Sequence, residues 1–285
     1  MRRLTTIQWG LIGAAIASTV LLGFVRTSPA EGKMPVPAAS QPAGSHTLDE
    51  VIAASRQHFS AELRQKVALI EGAVSTERDF IRRGQMFDSL ARLTGTAKEY
   101  AFAAWVTEQK AVKNNGSGSD WQMAGERYRA AASFQDDPQN VPALFAAAER
   151  CFNKAIDLEP KNLDAKVGLA TCIVEGTNDP MKGIGMLLDV VNEDSTNVNA
   201  QLALGDFSVK RGAPDKAIVR YSTALRLRPD YYGLHLSLAE QFQALGDTAA
   251  AISHLEAYVQ QETDPLVKND VENAIRRLRG NPPKQ

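Results

Sequence analysis

A set of residues recurs at a fixed spacing of 34 positions in the C-terminal half of the chain, and this repeat constrains the fold more than any other feature. Seven positions match in size or type. The first set is Leu204, Gly205, Gly212, Ala217, Ile218, Tyr221 and Ala224, and the second is Leu238, Ala239, Gly246, Ala251, Ile252, Leu255 and Tyr258. A period of this length indicates stacked supersecondary units, each of which buries its apolar face against the next.

The residue types at these positions predict what each unit looks like. Gly212 and Gly246 are expected to end a helix, because glycine adopts the left-handed conformation that a helix terminus favours. Ala217 and Ala251 are small enough to let two antiparallel helices touch. Pro229 follows the second helix, which proline cannot continue. The sequence therefore predicts an all-α fold in which each unit is a helix–turn–helix pair.

These residues and their spacing resemble the tetratricopeptide repeat (TPR) family. The best match covers residues 198–231, with Leu204-Gly205, Ala217, Tyr221, Ala224 and Pro229 in the family's order. Residues 232–260 match next best. Residues 162–197 form a weaker copy, with Ser195 where the family prefers proline. The resemblance implies a solenoid of TPR repeats over residues 121–263, followed by a capping helix over residues 264–279 that shields the last repeat from water.

One further copy is split by an insertion. Trp121-x-x-Ala124-Gly125-x-x-Tyr128 resembles the family's first-helix pattern, and residues 148–160 resemble its second-helix pattern. Between them lies a segment around residues 135–142 that is rich in Asp, Pro and Asn, which predicts a long loop between the two helices.

The region 48–113 is expected to form three or four helices, since apolar residues recur there at helical spacing. Examples of these apolar positions are Val67, Leu69, Ile70, Val74, Phe80, Ile81, Phe87, Leu90 and Leu93. Residues 78–112 are a candidate for a further degenerate TPR unit. Residues 114–119 read Asn-Asn-Gly-Ser-Gly-Ser, which predicts a flexible loop and a subdomain boundary.

The N-terminal segment Ile7 to Val25 contains 19 residues without a charge. As a helix it would span about 30 Å, the thickness of the hydrocarbon core of a bilayer. We predict that residues 1–26 form a transmembrane anchor. The alternative is a cleaved signal peptide, which usually has a shorter apolar region; here the small-x-small site would include Pro29.

The charges around this segment predict its orientation. Arg2 and Arg3 precede it and should stay in the cytoplasm, so the remainder of the chain would cross the membrane. In a bacterium this places a single-pass protein in the inner membrane with its C-terminal domain in the periplasm. Residues 27–47 contain four prolines together with Ala, Ser and Gly, which predicts a disordered linker.

The composition argues against several other classes of function. The chain carries 32 basic and 33 acidic residues and no dense basic run, so nucleic-acid binding is not expected. The four histidines show no metal-ligand spacing, and no phosphate-binding loop or nucleophile elbow is present. We therefore predict no cofactor, no metal site and no enzymatic activity. His235 and His254, on facing helices of one unit, are read as surface or packing residues.

Cys151 and Cys172 are the only cysteines, and stacking would make their helices neighbours. Two readings remain open at this stage. An oxidising periplasm would allow a disulfide if the Cβ atoms lie near 4 Å apart. Alternatively, both are small buried hydrophobic residues.

The resemblance also implies a binding surface, because the first helices of successive TPR units line a groove that takes a peptide or a partner helix. By matching place, the groove residues would be Asp164, Val167, Thr171, Glu175, Asn199, Leu202, Asp206, Lys210, Leu236, Glu240 and Gln243. Some family members hold a partner's C-terminal carboxylate with Lys and Asn side chains; here only Asn199 and Lys210 are of that type. The function predicted is a membrane-anchored protein-interaction scaffold or assembly factor. The alternative is a structural membrane protein that self-associates through residues 48–113.

Overall fold

The computed structural model describes residues 45–177 and 179–280, and over these residues the chain forms thirteen α-helices, one short 3-10 helix and no strand. The N-terminal helices are α1 (Leu48–His58), α2 (Ala61–Thr76), α3 (Phe80–Thr96) and α4 (Tyr100–Lys113). Then come α5 (Gly118–Ser133), the 3-10 helix (Pro138–Asn140), α6 (Val141–Leu158), α7 (Leu163–Gly176) and α8 (Pro180–Glu193). The last five are α9 (Val198–Lys210), α10 (Pro214–Leu227), α11 (Leu234–Ala244), α12 (Thr248–Gln261) and α13 (Pro265–Leu278).

The helices start and stop where local chemistry favours it. Asn162 and Asn197 cap the starts of α7 and α9, where each side chain accepts a hydrogen bond from a free backbone N–H of the first turn. Gly212 and Gly246 have φ values of +64° and +77° directly after α9 and α11. The predicted left-handed glycines at these two helix ends are thus confirmed.

Residues 121–263 form helix pairs stacked as a TPR-type solenoid: α5 with α6, α7 with α8, α9 with α10, and α11 with α12. Within the pairs the contact positions hold small residues, since Ala217 and Ala251 are fully buried. Gly183 occupies the equivalent place in α8, where an added Cβ would lie 2.4 Å from the carbonyl oxygen of Ala170. Close approach of the two helices therefore requires a small side chain at this point of each unit.

The insertion between α5 and α6 is more ordered than the sequence suggests. It contains the 3-10 helix Pro138–Asn140, which leads directly into α6. The backbone N–H of His46 donates to the carbonyl oxygen of Gln139 at 3.1 Å, and the His46 ring bonds Asn140 at 2.8 Å. Thr47 then caps α1. The linker predicted for residues 27–47 therefore ends earlier than expected, because residues 45–47 are held in place; its other residues lie outside the described part of the chain.

Residues 48–113 form four helices, and they do not make a separate subdomain. One cluster of buried side chains extends from Val51 in α1 to Ile173 in α7. The boundary predicted at residues 114–119 is wrong, because α4 packs closely on α5 across this short connection and α1 contacts both α4 and α6. Ser117, within the supposed flexible loop, caps α5.

Helical periodicity in this region marks exposed positions as well as buried ones. Val67, Phe87 and Leu90 are buried as their spacing suggests. Leu69, Phe80 and Ile81 have the same spacing but are 76%, 64% and 58% exposed. They follow the periodicity of their helices, but no described element covers them.

A buried carboxylate joins the N-terminal helices to the repeats. Glu108 of α4 is only 7% exposed. It accepts hydrogen bonds from the Tyr128 hydroxyl of α5 at 2.6 Å and from the Arg150 guanidinium of α6 at 2.7 Å. A buried charge is tolerated when it is paired and hydrogen-bonded in this way. Burial, followed by the charge of Glu108, raises the pKa of Tyr128.

The last helix covers the end of the stack. Ile275 of α13 is buried against Ala251 and Leu255 of α12. Helix α13 lies within residues 264–279, where the sequence predicts a capping helix. Among the helices that the structure describes, none combines the length and the apolar character needed to cross a bilayer. The predicted anchor, residues 1–26, lies outside the described residues.

Candidate partner-binding groove

The first helices of three successive units, α5, α7 and α9, lie side by side. Aromatic side chains of the second helices hold them in place by packing against glycines. The Phe152 ring of α6 fits so closely that a Cβ added at Gly168 of α7 would lie 2.3 Å from it. The Tyr221 ring of α10 leaves 2.4 Å for a Cβ at Gly205 of α9. The glycines therefore allow the first helices α7 and α9 to pack closely against the second helices α6 and α10.

Between α5, α7 and α9 lies a cavity of about 390 Å³ that we call the first-helix groove. Its floor is apolar, with Val167, Ala203 and Phe207 at most 8% exposed. Leu202 is half-buried beside them. Charged and amide side chains surround this floor. A concave surface that combines an apolar floor with polar groups is a candidate binding site.

Polar contacts within the groove fix several of its side chains. Asp164 accepts hydrogen bonds from the side-chain amides of Asn199 at 3.0 Å and Asn197 at 3.3 Å. Glu175 of α7 forms an ion pair with Lys210 of α9 at 2.7 Å. These contacts join α7 to α9 near both ends of the groove.

Two further polar contacts involve groove residues of α5 and α9. Glu126 pairs with Arg129 at 2.9 Å within α5. Asp206 accepts a hydrogen bond of 2.6 Å from the Tyr221 hydroxyl. Desolvation, together with this hydrogen bond to a carboxylate, raises the pKa of Tyr221.

The structure brings most of the predicted groove residues together. Seven of them line the cavity: Asp164, Val167, Thr171, Glu175, Asn199, Leu202 and Asp206. Lys210 reaches it through its ion pair with Glu175. Their role in binding a partner stays a prediction.

The three residues predicted on α11 lie outside this cavity. Leu236 is half-buried against the cluster formed by α11, α12 and α13, so it contributes to packing. Glu240 and Gln243 are exposed, and the charge of Glu240 acts on the Tyr221 hydroxyl. These three residues lie outside the cavity because α11 packs mainly on α10 and α12 and does not continue the row of closely packed first helices α5, α7 and α9.

Sequence reasoning missed the contribution of α5, whose residues Gln122, Glu126 and Arg129 line one side of the groove. The signal was available, because the pattern from Trp121 to Tyr128 resembles a first helix. The groove positions predicted on α7 could therefore have been assigned to the equivalent positions of α5 as well. Phe207, at the floor, was also missed.

The groove does not offer a free clamp for a carboxylate. Asn199 donates to Asp164, and Lys210 is paired with Glu175. Asn199 and Lys210, the two side chains of the type that binds a partner's C-terminal carboxylate, are thus already bonded to acidic groups.

Cys151 and Cys172 are free thiols in the structure, and both are fully buried. Burial raises the pKa of each thiol, which makes them poor nucleophiles. Of the two readings, this environment is that of small buried hydrophobic residues. Within residues 45–177 and 179–280, no group of three or more His, Cys, Asp and Glu side chains could hold a metal ion.

Comparison with known proteins agrees with the repeat architecture. Residues 208–269, from the end of α9 into α13, match the family model described as tetratricopeptide repeat. No protein of curated function matches the chain significantly.

Solved structures are similar in fold. A thermophilic TPR protein from Thermus thermophilus is 16% identical, with 68% of this chain and 98% of that chain covered and a TM-score of 0.50. A tetratricopeptide repeat protein from Parabacteroides merdae is 12% identical, with 82% and 87% covered and a TM-score of 0.52. PilW, described as a widely conserved type IV pilus biogenesis factor, is 18% identical, with 70% and 86% covered and a TM-score of 0.51. At these identities the likeness shows a TPR-type fold.

Proposed function

We propose that this chain is a non-enzymatic interaction scaffold or assembly factor that binds a partner protein or peptide in the first-helix groove. The observation that carries the proposal is the groove itself, a cavity of about 390 Å³ between three first helices, with polar side chains around a floor of Val167, Ala203 and Phe207. TPR folds generally serve as protein-interaction scaffolds. The assembly role of PilW as a pilus biogenesis factor supports the same class of function.

The membrane part of the proposal rests on the sequence. We infer that the uncharged stretch from Ile7 to Val25 anchors the chain in a bacterial inner membrane. The positive charge ahead of it would place the helical repeats in the periplasm. A partner would then be met outside the cytoplasm, close to the membrane surface.

The proposal is tested by a substitution that fills the groove and leaves the second helices beneath it unchanged. Thr171 lines the cavity, is half-buried and donates a hydrogen bond to the carbonyl of Val167 in its own helix. Thr171→Trp should occupy much of the space above the floor. We expect in-cell crosslinking followed by mass spectrometry to lose at least one protein captured by the wild type, with a signal reduced about tenfold or more.

A matched control is available on the second helix of the next unit. Thr223 of α10 also bonds the carbonyl four residues earlier, at the same 2.9 Å, but it does not line the groove. Thr223→Trp should leave the captured proteins unchanged. If Thr171→Trp folds normally and captures the same proteins as the wild type, the groove is not the binding site.

Self-association is the second candidate function. The observation favouring it is the exposure of Leu69, Phe80 and Ile81 in the N-terminal helices, because large apolar side chains left in water often mark an interface. The same crosslinking experiment separates the two candidates: a scaffold captures other proteins through the groove, whereas a self-associating protein captures copies of itself in both Thr→Trp variants.

A further inference from the structure

The charges around the first-helix groove are unbalanced. Four carboxylates belong to it, from Glu126, Asp164, Glu175 and Asp206. Among the described residues, two cations accompany them: Arg129 in the lining, and Lys210, which reaches Glu175. The surroundings of the apolar floor therefore carry a net charge of about minus two, although the whole chain has a formal net charge of only -1.

The excess negative charge around the groove is concentrated on two side chains. Glu126 and Glu175 are each in an ion pair. Asp164 and Asp206 are exposed, and among the described residues neither has a cation within ion-pair distance; the hydrogen bonds found for them come from neutral amides and a phenol. Neutral donors orient a carboxylate without cancelling its charge. Asp164 and Asp206 are thus held in place and remain available to a cation.

We propose that the groove selects a cationic segment of a partner protein, with Lys or Arg side chains bound by Asp164 and Asp206 and an apolar side chain between them on the floor. This inference rests on the proposed function, since it names the class of ligand for the same groove. An anionic segment is disfavoured for two reasons. It would face uncompensated carboxylates, and it would have to displace Asn199 from Asp164 or Lys210 from Glu175 to find a donor.

The two carboxylates also set a spacing for the ligand. Asp164 lies beside Asn199 near the start of α7 and α9, and Asp206 is seven positions beyond Asn199 on α9. Seven residues of helix correspond to about 10 Å along the axis, and neighbouring helices lie about 8–10 Å apart. The diagonal is therefore roughly 14 Å, which an extended chain covers in about four residues. A segment with basic residues four positions apart and an apolar residue between them fits this spacing.

The test measures binding of labelled peptides to the full chain, purified in an uncharged detergent, by fluorescence anisotropy. One peptide carries two lysines four positions apart with leucine between them, and a second has glutamate in place of both lysines. We expect the lysine peptide to bind, and binding to weaken as salt is raised because the pairs are exposed. The glutamate peptide should bind at least about tenfold more weakly.

Charge-neutral variants show whether the two carboxylates are responsible. Asp164→Asn and Asp206→Asn together keep an oxygen that can accept the existing hydrogen bonds while removing both charges. This double variant should bind the lysine peptide roughly tenfold more weakly than the wild type. The matched control is Asp189→Asn with Asp215→Asn, which removes two exposed charges from the second helices α8 and α10. The control should bind like the wild type.

Three outcomes would overturn the inference: equal binding of both peptides, no binding of the lysine peptide, or unchanged binding by the Asp164→Asn, Asp206→Asn variant. Comparison with the crosslinking experiment distinguishes failure of the binding site from failure of its proposed selectivity for a cationic segment. If Thr171→Trp abolishes partner capture but the lysine peptide is not preferred, the groove is a binding site with another selectivity. If capture also survives Thr171→Trp, both proposals fail together.

Discussion

At the scale of single residues, His235 and His254 form a contact that depends on their charge. Their Nδ1 atoms are 2.9 Å apart between α11 and α12, so one ring donates its proton to the other. Phe242 stacks on the His254 ring with a centroid distance of 5.3 Å. Burial lowers the pKa of both rings below the usual 6.5, and for His254 the neighbouring His235 adds to this effect. The folded protein therefore favours the neutral pair.

The direction of the resulting pH dependence follows from linkage. In the unfolded chain both histidines take up protons as the pH falls through about 6.5, whereas the folded chain resists protonation until lower pH. The free energy of unfolding should therefore fall between pH 7.5 and pH 5.5. We expect the thermal midpoint of the wild type to drop more over this range than that of a His235→Gln, His254→Gln variant. His46 and His58 are common to both proteins, so an equal drop in the two would contradict the role given to this pair.

At the scale of helices, glycine acts in two opposite ways in this chain. Gly205 of α9 is interior to its helix and lies under the Tyr221 ring. Gly185 of α8 is also interior to a helix, but an added Cβ there would meet nothing within 4 Å. The first glycine is needed for close packing, while the second only weakens its helix.

The same substitution should therefore have opposite effects at the two positions. Gly205→Ala forces Tyr221 away and should lower the free energy of unfolding by about 1–3 kcal/mol. Gly185→Ala should raise it by about 0.5–1 kcal/mol, because alanine is the better helix former. Chemical denaturation of both variants measures these changes. Destabilisation of similar size at both sites would show that packing under Tyr221 is not the cause.

The repeat elements were predictable because their signals are local. Left-handed Gly212 and Gly246, small Ala217 and Ala251 and the capping helix follow from residue types at fixed spacing. What could not be predicted depends on how neighbouring elements meet. Leu236 was assigned to the groove from its place in the repeat, but α11 turns this side chain towards α12 and α13. The contact of His46 with the insertion likewise joins residues 94 positions apart, which no periodicity reveals.

At the scale of the whole molecule, the described residues are held by cores of unequal size. One large cluster extends from α1 to α7, and three smaller ones follow along the later repeats. In stacked repeats each unit gains stability mainly from its neighbours. The groove lies where the large cluster meets the next, smaller one, since α5 belongs to the large cluster and Phe207 of α9 belongs to the smaller one.

The membrane attachment proposed for residues 1–26 is also tested on the whole chain. Full-length protein should remain in the membrane pellet after an alkaline wash, and deletion of residues 1–26 should release it into the supernatant. Deletion of residues 27–44 removes the segment that follows the predicted anchor and should leave the protein in the pellet. An intact mass that lacks the N-terminal segment, together with release of the wild type, would establish the signal-peptide alternative.

The hydrogen bonds of His46 to Gln139 and Asn140 have a mechanical consequence. A force applied at residue 45 would act first on α1 and on the insertion that leads into α6, and both helices belong to the largest buried cluster. The smaller clusters of the later repeats lie further along the chain.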